Sequence, residues 1–131
     1  MILVDSTVWI DFLRGTNSFF REKLHQLIEG EEDICLTGIH LTEILQGIKN
    51  DTEFERTKRY LIAFPLFLIK DINTYIHAAR IYRICQRSGN TVRRTVDCLI
   101  AAIAIENQLI LFHNDHDFDQ IAACTKLKVL G

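Results

Sequence analysis

Asp5, Asp97 and Asp115 are the side chains best placed to act together in chemistry. Asp5 directly follows the apolar run Ile2-Leu3-Val4. Asp97 is the sole charged residue in the stretch VDCLIAAIAI, from Val96 to Ile105. Asp115 lies just beyond the apolar run that ends at Phe112, and Asp117 and Asp119 follow it closely. Ligands of open α/β sheets bind at the carboxyl ends of strands, where Asp5 and Asp115 fall. Carboxylates gathered at one sheet edge repel and raise one another's pKa. A hard divalent cation resolves that repulsion, because Mg²⁺ or Mn²⁺ takes oxygen ligands and only a few of them. Such a cation activates water and stabilises phosphoryl oxygens in displacement reactions. Each acid also has a plainer reading. Asp5 and Asp97 would serve as helix N-terminal acids that cap free N–H groups and complement the dipole. Asp115, Asp117 and Asp119 would form a solvated turn, with His113 and His116 as turn residues or supports beside Asn114.

Glu43 sits within the helical stripe Leu41, Ile44, Leu45 and Ile48. At about 100° per residue it falls away from the centre of that stripe, so periodicity alone makes it an exposed or flanking residue.

A second set of side chains is basic. Arg80, Arg83 and Arg87 recur at helical spacing and share one face. Arg93 and Arg94 follow shortly before Asp97, and no acid separates Arg80 from Arg94. The two readings are a solvated face and a phosphate track, for which arginine offers planar, bidentate contacts. The net charge of −2 and pI near 6.2 argue against a uniformly basic nucleic-acid binder. They conceal a basic stretch beside an acidic one, a distribution that suits a metal-dependent nuclease.

The elements that must position these residues read as follows. The length of 131 residues and mass of 15.2 kDa fit one domain, residues 1–131. With 48% hydrophobic and 24% charged residues, the composition excludes disorder and low complexity. No apolar run approaches the roughly 20 residues that span a bilayer. The opening MILVDSTVWIDF lacks a basic n-region, so no signal peptide and a cytoplasmic location are expected. Cys35, Cys85, Cys98 and Cys124 form no CxxC pair and lie in apolar sequence, which predicts buried free thiols. Strands are expected at Ile2–Val4, Ile34–Leu36, Leu66–Ile69, Leu109–Phe112 and, as a possible fifth, Lys128–Leu130. Helices are expected between them: one ending at Gly15, one through Phe20–Ile28 stopped by Gly30, and one through Leu41–Ile48. Further helices follow at Glu53–Tyr60 before Pro65, at Asn73–Arg87 with Asn73 as N-cap, at Thr95–Asn107, and at Phe118–Cys124. Alternating apolar strands and helices predict an α/β fold, a central parallel sheet of four or five strands flanked by helices on both faces. Phe19, Phe20, Phe54, Tyr60, Phe64 and Phe67 are each expected in the core, with an interface as the other fate for some.

Three segments together resemble a PIN domain, most closely the VapC-type toxin ribonucleases of bacterial toxin–antitoxin pairs. They are ILVDSTVWIDFL, LTGIHLTEILQGI and TVDCLIAAIAIENQLILFHNDHDF. The last is the most specific, with D-x-x-I-A-A, a strand and D-x-D-F in order. The resemblance covers essentially the whole chain. It implies a metal-binding, catalytic acid set of Asp5, Glu43, Asp97 and Asp115, and for Glu43 it overrides the periodicity. Asp117 matches another often acidic position that assists directly or through water, and it competes with Asp115 for the fourth ligand. Thr7 falls where the family has a small polar residue, whose hydroxyl would orient Asp5 or a metal water, although D-S-T here departs from the usual D-T-N or D-T-S. Asn114 is a supporting residue, and Arg80, Arg83, Arg87, Arg93 and Arg94 are RNA-binding candidates. The implied activity is Mg²⁺- or Mn²⁺-dependent hydrolysis of RNA phosphodiesters, with structured RNA, tRNA foremost, as substrate. The implied partners are a cognate antitoxin and a second copy of the chain in a homodimer.

Two other classes compete. A degenerate PIN-like module would bind RNA or protein without cutting, against which the intact acid set speaks. A receiver-like phosphoacceptor would need a mid-chain acceptor aspartate, an acidic pair and a later lysine after strands, an order this chain lacks.

Overall fold

The computed structural model describes residues 1–130. Five short parallel strands form one sheet in the order β3-β2-β1-β4-β5. They are β1 (Ile2–Val4), β2 (Ile34–Thr37), β3 (Leu66–Phe67), β4 (Ile110–Phe112) and β5 (Lys128–Val129). Seven helices connect them: α1 (Ser6–Arg14), α2 (Phe19–Glu29), α3 (Gly38–Gln46), α4 (Asp51–Ile62), α5 (Ile72–Arg87), α6 (Thr95–Glu106) and α7 (His116–Cys124).

Side chains on a strand alternate between faces, and this alternation builds two cores. Leu3, Cys35 and Leu111 enter one with α5, α6 and α7. Val4, Ile34, Leu36 and Phe112 enter the other with Trp9, Leu24, Ile44 and Leu61 from α1 to α4. Helix α6 is apolar around most of its circumference and is accordingly buried from Cys98 to Ala104 save for Leu99. Gly15 ends α1 in the left-handed region at φ 70°, which suits a residue without Cβ.

The chain runs from β1 outward to β2 and β3, and later returns to β1's other side as β4 and β5. The strand order thus reverses between β1 and β4, and the crevice at their carboxyl ends is where such sheets bind ligands. Asp5 follows β1 there, and its N–H donates to the Phe112 carbonyl at 2.9 Å.

Four expectations need correction. Asp71, not Asn73, caps α5: its carboxylate accepts from Asn73 N–H at 2.8 Å, and the helix starts at Ile72. Thr74, in the first turn, donates its hydroxyl to Glu106 Oε2 at 3.0 Å. Strands β3 and β5 are two-residue edges, shorter than their apolar runs, because an edge strand pairs on one side alone. None of the six aromatics reaches the core interior. Phe19 and Tyr60 are exposed and Phe20, Phe54, Phe64 and Phe67 half-buried, because Trp9 fills the centre that Tyr60 and Phe64 pack around edge-on. The cysteines are free, with Cys124 half-buried rather than buried.

Candidate active site

Asp5 stands at the N-cap position of α1, yet its side chain makes no capping bond. Its carboxylate turns inward. Oδ1 lies 2.9 Å from His40 Nε2, and Oδ2 accepts from the Thr7 hydroxyl at 3.1 Å. Burial alone would raise this carboxyl; the bonds from His40, Thr7 and the Ser6 amide outweigh it and hold Asp5 below the ordinary aspartate value.

His40 itself is fully buried in the first turn of α3. Thr37 caps that helix, its hydroxyl accepting from His40 N–H at 3.1 Å, while the ring reaches back to the Thr37 amide. Three residues on, Glu43 lies on the same side of α3. It is half-buried, and Oε1 accepts from the buried Ser6 hydroxyl at 3.2 Å. Helix α3 therefore delivers two side chains to the start of α1. Glu43 is the flanking residue that periodicity makes it; that it faces a polar junction is what periodicity, which registers burial in the apolar core, does not record.

The other side of the crevice is acidic. Carboxylate oxygens of Asp97, Asp115 and Asp117 lie within 4.8 Å of one another. Asp97 comes from the first turn of α6 and is fully buried. Asp115 caps α7, accepting from Asp117 N–H at 2.9 Å, and its own N–H donates to His113 Nδ1 at 3.0 Å. Burial pushes Asp97 up to about 6; the Arg94 guanidinium pulls it down, and the charges of Asp115 and Asp5 push it up again.

Arg93 and Arg94 face these acids. Arg94 Nη2 donates to Asp97 Oδ1 at 2.8 Å and to Asp115 Oδ2 at 3.4 Å. Arg93 Nε donates to Asp117 Oδ1 at 3.2 Å. The bond to Asp97 raises the Arg94 guanidinium further above its already high value, against burial, and the nearby charges of Asp115 and Glu43 add to it. Both arginines keep most or half of their side chains in solvent. Arg80, Arg83 and Arg87 are exposed on α5. Asn114 is exposed and takes no part in the bonds that hold the carboxylates; His116 pairs outward with Asp119.

The structure thus brings Asp5, Glu43, Asp97, Asp115 and Asp117 to one crevice, with Thr7 on Asp5 as the resemblance implies. Sequence reasoning missed Ser6 and His40. The one signal for His40 was its place one helical turn before Glu43. The donor set is entirely carboxylate oxygen, the chemistry a hard divalent cation takes. The guanidinium of Arg94 already bridges two of those carboxylates as a positive charge. Asp97, Asp115 and Asp117, with Asp5 across the crevice, would hold the cation, whose charge would offset the mutual repulsion that adds to the burial raising Asp97.

A family model described as PIN domain matches residues 2–123. Ribonuclease VapC11 of Mycobacterium tuberculosis is 36% identical over 129 residues, covering 98% of this chain and 96% of that protein. VapC51 of the same organism is 34% identical over 92 residues, covering 70% of this chain and 66% of that protein. Among solved structures, VapBC2 from Rickettsia felis bound to a promoter DNA fragment has a TM-score of 0.76 at 16% identity, covering 99% of this chain and 98% of that one. FitAcB from Neisseria gonorrhoeae has a TM-score of 0.74 at 22% identity, covering 100% and 97%.

Proposed function

The chain belongs to the PIN-domain family, and we propose that it is a metal-dependent endoribonuclease, the toxin of a toxin–antitoxin pair, with residues 1–131 as its one domain. The observation that carries this reading is the convergence of five carboxylates at the β1/β4 crevice, three of them within 4.8 Å. The near full-length likeness to proteins named VapC ribonucleases supports the reaction class.

Asp5, Glu43, Asp97 and Asp115 act as the catalytic and metal-holding set, with Asp117 beside them. When bound, Mg²⁺ or Mn²⁺ supplies Lewis-acid stabilisation of phosphoryl charge and a more acidic water. The chain's own residues do the rest. Thr7 and Ser6 hold Asp5 and Glu43 at their junction. Asp115 fixes the start of α7, so that Asp117 faces the same space. A carboxylate of this set takes the proton of the attacking water. Arg93 and Arg94, which would be free to leave the acids with a cation bound there, are placed to contact the RNA phosphates, and Arg80, Arg83 and Arg87 extend that contact along α5.

Structured RNA is the substrate, with tRNA foremost, and its cleavage would inhibit translation in the cytoplasm, where the four free thiols are also at home. An antitoxin partner is supported by neighbours whose structures are toxin–antitoxin complexes. A groove of about 660 Å³, lined by Ile10, Phe12, Ile44 and Tyr60 and also by Arg14 and Arg56, suits a mixed apolar and charged segment of such a partner. A homodimer would cover Ile72, Tyr75, Ile76 and Tyr82, which α5 leaves exposed.

The test is incubation of the pure, antitoxin-free chain with total RNA and Mg²⁺, beside an EDTA control and the Asp5→Asn variant. Discrete fragments that need both the cation and Asp5 are expected, and end mapping identifies the RNA. No fragments with either Mg²⁺ or Mn²⁺ would replace this reading with the non-catalytic binding module.

A further inference from the structure

His40 is a buried imidazole with both ring nitrogens engaged, and its two partners do different work. The Thr37 backbone N–H points at Nδ1 from 3.3 Å. A backbone amide only donates, so Nδ1 is an acceptor. The Thr37 hydroxyl, 3.0 Å from the same nitrogen, already accepts from His40 N–H and has its own hydrogen left to give to Nδ1. The ring hydrogen therefore sits on Nε2. That hydrogen points at Asp5 Oδ1, 2.9 Å away.

The Nδ1 half of this arrangement completes a capping box for α3, with histidine in the place usually held by Glu or Gln. The Nε2 half contributes nothing to the helix. It ends on Asp5, whose backbone N–H is also tied across the sheet, to the Phe112 carbonyl. With His40 on Oδ1, Thr7 on Oδ2 and the Ser6 amide on the same carboxylate, the oxygens of Asp5 keep the rest of their lone-pair capacity for the crevice.

We propose that His40 is a positioning residue, which fixes the rotamer of Asp5 so that its free lone pairs face the divalent cation. The proposal rests on the metal-dependent reading above and adds to it a residue outside the acid set. The second-neighbour logic is general: a donor behind a ligating carboxylate orients it, and loss of such a donor lowers metal affinity by about 10- to 100-fold. Here the tautomer is set by Thr37, so the β2–α3 junction, the α3 cap and the orientation of Asp5 form one chain of bonds.

The experiment is calorimetric titration of Mn²⁺ into the native chain and into His40→Leu, His40→Phe and His40→Gln, in the absence of RNA. The apolar variants fill the core but donate nothing; Gln restores an N–H donor. Expected are a loss of about tenfold or more in Mn²⁺ affinity for Leu and Phe, and recovery of most of it by Gln. If neither apolar variant folds, the native ring decides through its ¹⁵N signals, with hydrogen on Nε2 and none on Nδ1 as the expected pattern. Unchanged affinity in a folded apolar variant, or no hydrogen on Nε2, overturns the positioning role alone. A role confined to capping α3 predicts equal affinities and differing melting temperatures. Failure of the native chain to bind Mn²⁺ overturns the metal-dependent reading, and the positioning role with it.

Discussion

The two sides of the crevice hold their carboxylates by opposite means. On the β1 side, Asp5 is bonded by buried or short-tethered donors, His40 and Thr7, that belong to the fold. On the α6–α7 side, Asp97, Asp115 and Asp117 crowd together, and their partners are two solvent-exposed arginines. The first side is fixed and its acid is held below the ordinary value. On the second, burial above all, with the neighbouring charges of Asp115 and Asp5 added, raises Asp97 to about 6. Built-in donors make a ligand permanent, whereas a displaceable guanidinium leaves room for exchange with a cation. The crevice therefore combines one preorganised carboxylate with a group of acids held by displaceable partners.

The largest expected effect erases the difference between the sides. EDTA, Asp5→Asn or Asp97→Asn should each reduce RNA cleavage by roughly 100-fold or more, because the cation needs both sides. Gel-based cleavage rates check this, and an active Asp97→Asn protein would remove the α6 side from the site.

Stability then separates what activity does not. In metal-free protein near pH 7, Asp97→Asn should raise the melting temperature by roughly 3 °C, on the order of 1 kcal/mol, because the fold disfavours that charge. Asp5→Asn should lower the melting temperature, at a cost in stability of about 1–3 kcal/mol, because an amide in place of the carboxylate leaves His40 Nε2–H or Thr7 with a poorer partner. The pH dependence follows the same signs. Asp97 has a folded pKa of about 6, above its ordinary 3.8, so its destabilising charge is relieved as pH falls from about 7 towards 4. The advantage of Asp97→Asn over the native chain should shrink over that window. Asp5, shifted downward, keeps its stabilising contribution throughout that window and loses it only below the ordinary aspartate range. Thermal melts in EDTA at several pH values check both, and equal signs for the two variants would break the comparison.

Arg94→Ala should tighten Mn²⁺ binding several-fold by removing a competing cation from Asp97 and Asp115, while weakening RNA binding. Unchanged Mn²⁺ affinity would make the guanidinium irrelevant to exchange. The smallest effect belongs to the exposed arginines of α5. Arg80→Ala, Arg83→Ala and Arg87→Ala should each weaken RNA binding modestly and lower its salt slope by about one, with cleavage at saturating RNA unaltered.

Much of this arrangement was legible in the chain as written. Strand and helix positions followed from local apolar runs and breakers, because β-branched runs such as Ile2-Leu3-Val4 and signals such as Gly15 and Pro65 act within a few residues. The acids at the ends of β1 and β4 followed from the rule for parallel sheets. Glu43 did not follow from periodicity, which ranks a residue by the apolar core alone. The aromatic residues misled for a related reason: Trp9 occupies the centre, and nothing local to Tyr60 or Phe64 records that. Asp5 and Asp97 resembled caps, since both stand at helix starts, but neither helix has a side-chain cap bond. The choice between capping a helix and facing a crevice depends on partners distant in sequence.

The sequence by itself determined the α/β layering, the strand order's raw material and the identity of the acids, because those depend on residue type and short-range pattern. Tertiary structure alone decided which groups stand behind the acids. His40 lies 35 residues from Asp5, Ser6 lies 37 from Glu43, and Arg94 lies 21 from Asp115. Hydrogen bonds and charge act over a few ångströms of space, and distance along the chain carries no record of them.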